Sequence, residues 1–203
     1  MPLSAMHWGS AVSIHYFVAE FLQAERYNAA GFLPPTEMRI VDAPNLNDPI
    51  ENHYRLRILY YFRAHLLGEV PPDTQWFEVQ YLTDRELSEL HAVSRCGWEN
   101  PTDPSDHNEL AKVAVRKPIK LDELPADWKR IILWGHRREG PFTILEGNKR
   151  LTAYASTLPS PGLRIPVLVG ISPTPCLWHF EDAPRKIAND LWKVPSLWPQ
   201  FSL

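Results

Sequence analysis

A chain of 203 residues with 44% hydrophobic and 11% aromatic content has ample material for a buried core, and its 22% charged residues suit a globular surface, which excludes a disordered chain. It contains no apolar run of about 18 residues, and its start lacks the basic, apolar and small-residue order of a secretory signal, so a cytoplasmic protein with no membrane partner is expected. The net charge of -3 speaks against a dedicated nucleic-acid binder, yet residues 111–152 carry ten Lys/Arg against five Asp/Glu, a basic region suited to a small anion.

Ile14, Phe17, Val18, Phe21 and Leu22 recur at helical spacing and predict an amphipathic helix over residues 11–27, closed by Gly31 and Pro34-Pro35. A second helix has stronger punctuation. Asp48 stands as N-cap, Pro49 takes the first helical position, Glu51 is placed to reach back as in a capping box, and Gly68 follows Leu67 as C-cap. Its apolar and aromatic stripe, Tyr54, Ile58, Leu59, Tyr61, Phe62 and Leu66, is wide enough to face two neighbours.

The run Trp76 to Tyr81 is short, aromatic and β-branched, and predicts a strand. Thr83 then caps a short helix carrying Leu87, Leu90 and Val93 on one side, with Glu86 in the reciprocal capping position. The turn-rich stretch Cys96 to Asn108 marks a boundary between an N-terminal part, 1–108, helical with one short strand, and a C-terminal part, 109–203.

In the second part Pro118 to Leu121 is extended and Ile131 to Trp134 is apolar. Gly135 to Gly140 reads as a connecting loop and Phe142 to Leu145 as a buried strand. A helix containing Leu151 and Tyr154 follows and ends before Pro159, and Ile165 to Ile171 is the clearest buried strand in the chain. Strand, turn, helix and strand in that order describe a small α/β unit. The fold class expected for the whole chain is α+β, a helical N-terminal half packed on that core.

The turn Glu146-Gly147-Asn148-Lys149-Arg150 concentrates the chemistry. Gly147 permits a sharp turn, and the first N–H groups of the following helix point outward as an anion site. Lys149 and Arg150 add two cations, and the Arg fork can hold two phosphate oxygens. Glu146 can orient the Arg, bind Mg²⁺ carried by a nucleotide, or act as general base. His136, in a loop expected to approach this turn, is a second candidate acid or base, and Lys120, Arg137 and Arg138 are candidates for widening the positive field.

This turn resembles the phosphate-binding box of the ParB/sulfiredoxin superfamily. The similarity covers roughly residues 112–175, with Pro118-Ile119-Lys120-Leu121 before the box and Ile165-Pro166-Val167-Leu168-Val169 after it. In that superfamily ParB proteins bind and hydrolyse CTP while clamping DNA, sulfiredoxins use ATP to repair an oxidised cysteine, and a related kinase phosphorylates free serine. The resemblance implies a core of that kind in which Lys149 and Arg150 contact phosphates of ATP or CTP, Gly147 makes the turn, Asn148 belongs to the box and Glu146 manages Mg²⁺. Asn148 stands where sulfiredoxin has its catalytic Cys and where ParB has a Glu, and no helix-turn-helix segment follows, so neither cysteine repair nor DNA clamping is implied.

The expected function is nucleotide binding with Mg²⁺-dependent phosphoryl transfer or hydrolysis. One alternative is a non-catalytic interaction or regulatory module, of the phage or mobile-element kind, that binds a protein through the N-terminal helices or a nucleotide signal. A second is a nuclease; the Asp106-His107-Asn108 string resembles part of such a motif and is explained equally well as a turn-rich polar loop. Cys96 and Cys176 are too few for a disulfide framework, and Cys176-x-x-His179 with Cys96 and His107 is a weak zinc pattern. The Trp-rich tail lacks the interleaved cations of a base-stacking surface.

Overall fold

The computed structural model describes residues 8–82, 90–92, 129–148, 150–151, 165–176 and 179. The short helix expected after Thr83, the boundary from Cys96 to Asn108, the Pro118 segment with Lys120, Lys149, the continuation expected for the helix beyond Leu151 and the Trp-rich tail lie outside them.

In chain order the elements are β1 (Trp8–Val12), α1 (Ile14–Ala24), α2 (Arg26–Ala30), α3 (Arg39–Asp42), α4 (Pro49–Leu67), β2 (Gln75–Leu82), β3 (His91–Ala92), β4 (Ile131–Gly135), β5 (Thr143–Glu146) and β6 (Ile165–Ile171). The described fold is α+β, built on one mixed six-stranded sheet in the order β1-β2-β6-β4-β5-β3. β6 lies at the centre, antiparallel to β2 with Val79 opposite Val167, and parallel to β4 with Ile132 opposite Leu168. β5 runs antiparallel to β4, and β3 pairs with β5 in parallel, His91 opposite Thr143.

Among the described residues the N-terminal part contributes three strands where its sequence predicts one. The strands fall on both sides of the boundary read at residue 108 and share a single sheet. Residues 8–12, of which 11 and 12 were expected to open the first helix, form an edge strand instead. Ser13 caps α1 by accepting from the Tyr16 N–H at 3.2 Å. Leu90, read as part of a helix, immediately precedes β3.

Alternation along the central strands sorts side chains onto two faces. Ile132, Trp134, Leu145, Leu168 and Trp76 point to one face and are covered by Phe17, Val18, Phe21 and Leu22 of α1 and by Leu56, Leu59 and Leu67 of α4. Ile131, Leu133, Ile144, Val167 and Val169 point to the other and bury Leu90 and Leu151. On the first face the Phe17 ring stacks on Trp76 with centroids 3.7 Å apart. That indole lies across Gly170, where an added Cβ would come within 2.8 Å of it, so Gly170 keeps the ring flat on the sheet.

α4 begins as its sequence requires, with the Asp48 carboxylate accepting from the N–H groups of Ile50 and Glu51. Glu51 does not reach back to complete the box. Its carboxylate instead accepts from Asn45 N at 3.0 Å, from Arg39 and from the fully buried Arg55. Arg55 also donates to Asn45 O, Ile40 O and Asn52, and so ties α3 and the loop after it to the side of α4. Near its end α4 departs from helical geometry at Arg63, with φ -133° and ψ 28°. Among the described residues no helix is long and apolar enough to cross a membrane.

Candidate functional site

β5 ends at Glu146, and the chain reverses into a helix at Gly147, whose φ of +103° is a left-handed value that side chains avoid. A Cβ there would also lie 2.5 Å from Ile131 Cδ1, so only glycine lets the turn press against the start of β4. Asn148, Arg150 and Leu151 are helical, and the Leu151 N–H donates to Gly147 O at 2.8 Å. The local order of strand, glycine turn and helix start is the one its sequence indicates.

The side chain of Arg150 folds back along this turn. Its Nη1 donates to the carbonyls of Lys129 and Arg130 at the entry to β4, and Nη2 donates to Glu146 Oε1 at 3.3 Å. Three of its N–H groups thus hold the molecule together at the position where the sequence suggests a fork for two phosphate oxygens. The guanidinium is a buckle between two strand ends as well as a cation lining the site.

The opposite wall comes from the helices. α1 breaks at Glu25, whose N–H still reaches Phe21 O, and α2 starts immediately after it. Glu25 is only 5% exposed, and its carboxylate is ion-paired with Arg63 and accepts from Asn28 Nδ2. Ala24, Glu25, Tyr27, Asn28 and Arg63 from the helices face Glu146, Gly147, Asn148 and Arg150 from the turn, enclosing a pocket of about 450 Å³. Such a volume is in the range of small-molecule sites.

Two carboxylates and two guanidiniums therefore meet in this pocket. Burial pushes the Glu146 carboxyl above its usual range, the like charge of Glu25 adds to that, and Arg150 and Arg63 oppose it. Burial also lowers the Arg150 guanidinium, with Glu146 and Glu25 acting the other way. A carboxyl held ready to keep a proton, beside a guanidinium, is suited to proton transfer.

His136 does not join them. Antiparallel pairing sets Ile132 opposite Glu146 and Trp134 opposite Thr143, so His136 lies about four residues, or ~13 Å, along the strand from Glu146. The expectation that its loop approaches the turn is corrected by this register. Its Nδ1 is 3.0 Å from Ser172 O, and its ring meets His179 edge-on. Arg138 lies over the rings of Trp8 and Phe77, at 4.9 and 4.4 Å, rather than over the site.

Cys176 and His179 are likewise engaged elsewhere: the thiol donates to Glu69 O and His179 Nδ1 is 2.6 Å from Thr143 Oγ1. Among the described residues no group of three or more His, Cys, Asp or Glu could hold a metal. Magnesium needs fewer protein ligands, since one or two carboxylates with water and phosphate oxygens complete its shell. Glu146 fits that use, whereas both oxygens of Glu25 are already engaged by Arg63 and Asn28.

The helical wall was not read from the sequence, although it left a trace. Glu25 follows Phe21 by four positions and Arg63 follows Leu59 by four, so both charges stand on otherwise apolar stripes. A charge on a buried stripe calls for a partner, and these two are partners of one another.

No protein-family profile matches the chain, and no curated protein or solved structure is significantly similar to it.

Proposed function

We propose that this pocket binds a small phosphate-bearing molecule, of the ATP or CTP class, as its magnesium complex. The observation that carries the reading is the meeting of the Glu146-Gly147-Asn148 turn with Arg150 and Arg63 around one cavity of about 450 Å³. Guanidinium donors, a side-chain amide on Asn148 and another on Asn28 converge there, which suits phosphate oxygens. The two carboxylates make the pocket nearly neutral among the described residues, so a polyanion enters best with a divalent cation that Glu146 helps to hold. The resemblance of the turn and its flanking strands to the ParB/sulfiredoxin box supports the same reading and implies a core of that kind from β4 to β6.

Phosphoryl transfer or hydrolysis is the activity proposed for the site. Glu146 either holds the cation or, with its proton affinity raised by burial, takes a proton from the attacking hydroxyl or water. Titration calorimetry with ATP, CTP and GTP in the presence of Mg²⁺ tests the binding. Heat of binding for at least one nucleotide is expected, weakened ten-fold or more in Asn148→Asp, where a third carboxylate enters the pocket. Absence of binding to all three nucleotides overturns the proposal. Product formation over hours separates a catalyst from a regulator that binds the same ligand without turnover.

A further inference from the structure

We propose that Arg63, on the helical wall, is the cation that meets the ligand's phosphate, and that Arg150 chiefly holds the turn in place. This assignment rests on the pocket reading above and goes beyond it by naming a residue far from the turn in sequence. Three observations carry it.

The first is donor inventory. Arg150 commits both Nη1 hydrogens to the carbonyls of Lys129 and Arg130, and a further hydrogen to Glu146. Drawing it toward a ligand strands two backbone carbonyls at the start of β4. Arg63 is ion-paired with Glu25 through Nη2 and donates to Phe62 O at 3.3 Å through Nη1, so at least three of its five N–H groups have no bond among the described residues.

The second is position. Continuing the regular path of α4 would carry Arg63 along the stripe of Leu56 and Leu59, which is buried against the sheet. The departure from helical φ and ψ occurs at Arg63 itself, where the side chain also donates to Phe62 O. The result is a guanidinium 30% exposed at the pocket wall.

The third is orientation. The carboxylate of Glu25, only 5% exposed, also accepts from Asn28 Nδ2, so it is fixed from α2 and in turn fixes Arg63. Glu25 is thus a positioning residue. The pair fixes one edge of the guanidinium and leaves the remaining donors for an incoming oxyanion. Ligand binding would then join α4, the α1–α2 junction and the turn after β5.

The experiment compares inorganic pyrophosphate and Mg·ATP binding by calorimetry in the intact chain, in Arg63→Ala and in Arg63→Lys. At least a ten-fold loss is expected in Arg63→Ala, with Arg63→Lys regaining part of it through its charge. The dependence of Kd on salt concentration should also become shallower in Arg63→Ala, because one charge attracting the ligand is gone, a readout that a purely structural role leaves unchanged. If Arg63→Ala fails to fold by circular dichroism, Arg63→Gln serves, since its amide keeps a donor for Glu25, and the same ten-fold loss is expected. Unaltered affinity and salt slope in a folded Arg63 variant, with the parent chain binding normally, overturns this assignment alone. Failure of the parent chain to bind pyrophosphate and all of Mg·ATP, Mg·CTP and Mg·GTP overturns the pocket reading and the assignment with it.

Discussion

Gly147 tests how tightly the turn is built. Its φ of +103° and the Ile131 methyl at 2.5 Å from any added Cβ combine backbone and steric penalties, so Gly147→Ala should lower stability by about 2–3 kcal/mol in urea denaturation. Glu146 gives a pH signature. Its folded-state proton affinity lies above the ordinary carboxylate value of 4.5, so between those two values the folded chain holds more protons than the unfolded one. Its contribution to stability is therefore greatest below that window and is lost as pH rises through it. Glu146→Gln should remove this decline from unfolding curves taken from about pH 4 to pH 8, and an unchanged profile would show that Glu146 titrates normally. The glycine and Glu146 were legible in sequence because their geometry is local. The Glu25–Arg63 pair was not, because no short-range rule says which of two stripe charges will meet across 38 positions, from 25 to 63.

Among the elements, α4 was the most legible and shows why. Its start is set by Asp48 and Pro49, which act within one turn, and Asp48→Ala should cost about 1 kcal/mol by thermal denaturation. Arg55, by contrast, had no sequence signature of its role. It is fully buried and donates to Glu51, Asn52 and the carbonyls of Ile40 and Asn45. Arg55→Ala leaves Glu51 short of its buried partner and those carbonyls without their donor, and should destabilise by ~3 kcal/mol or more. The same contact explains the capping box that did not close, since Glu51 is drawn sideways to a guanidinium one turn along instead of back to its own helix start. The edge strands β1 and β3 were missed for another reason. β1 is largely exposed and β3 only two residues long, so neither carries the apolar alternation that marks a strand.

For the molecule as a whole, the sheet and its helices behave as one unit because α1 reaches the sheet through Phe17 on Trp76. Phe17→Ala should lower stability by about 3–5 kcal/mol, and the loss should be equal by far-ultraviolet circular dichroism and by tryptophan fluorescence. Separate transitions would show that helices and sheet unfold apart. The α+β class was legible from the alternation of helical and strand periods, whereas the strand order was not, because pairing partners are chosen by contacts between distant segments. The position of β6 has a consequence for how the protein is made. It is the last described strand in the chain, yet it lies between β2 and β4, with Val79 waiting for Val167. A nascent chain halted before Ile165 leaves the facing edges of both strands open to other polypeptides, so translation must run almost to the end of the described fold before its middle can be filled.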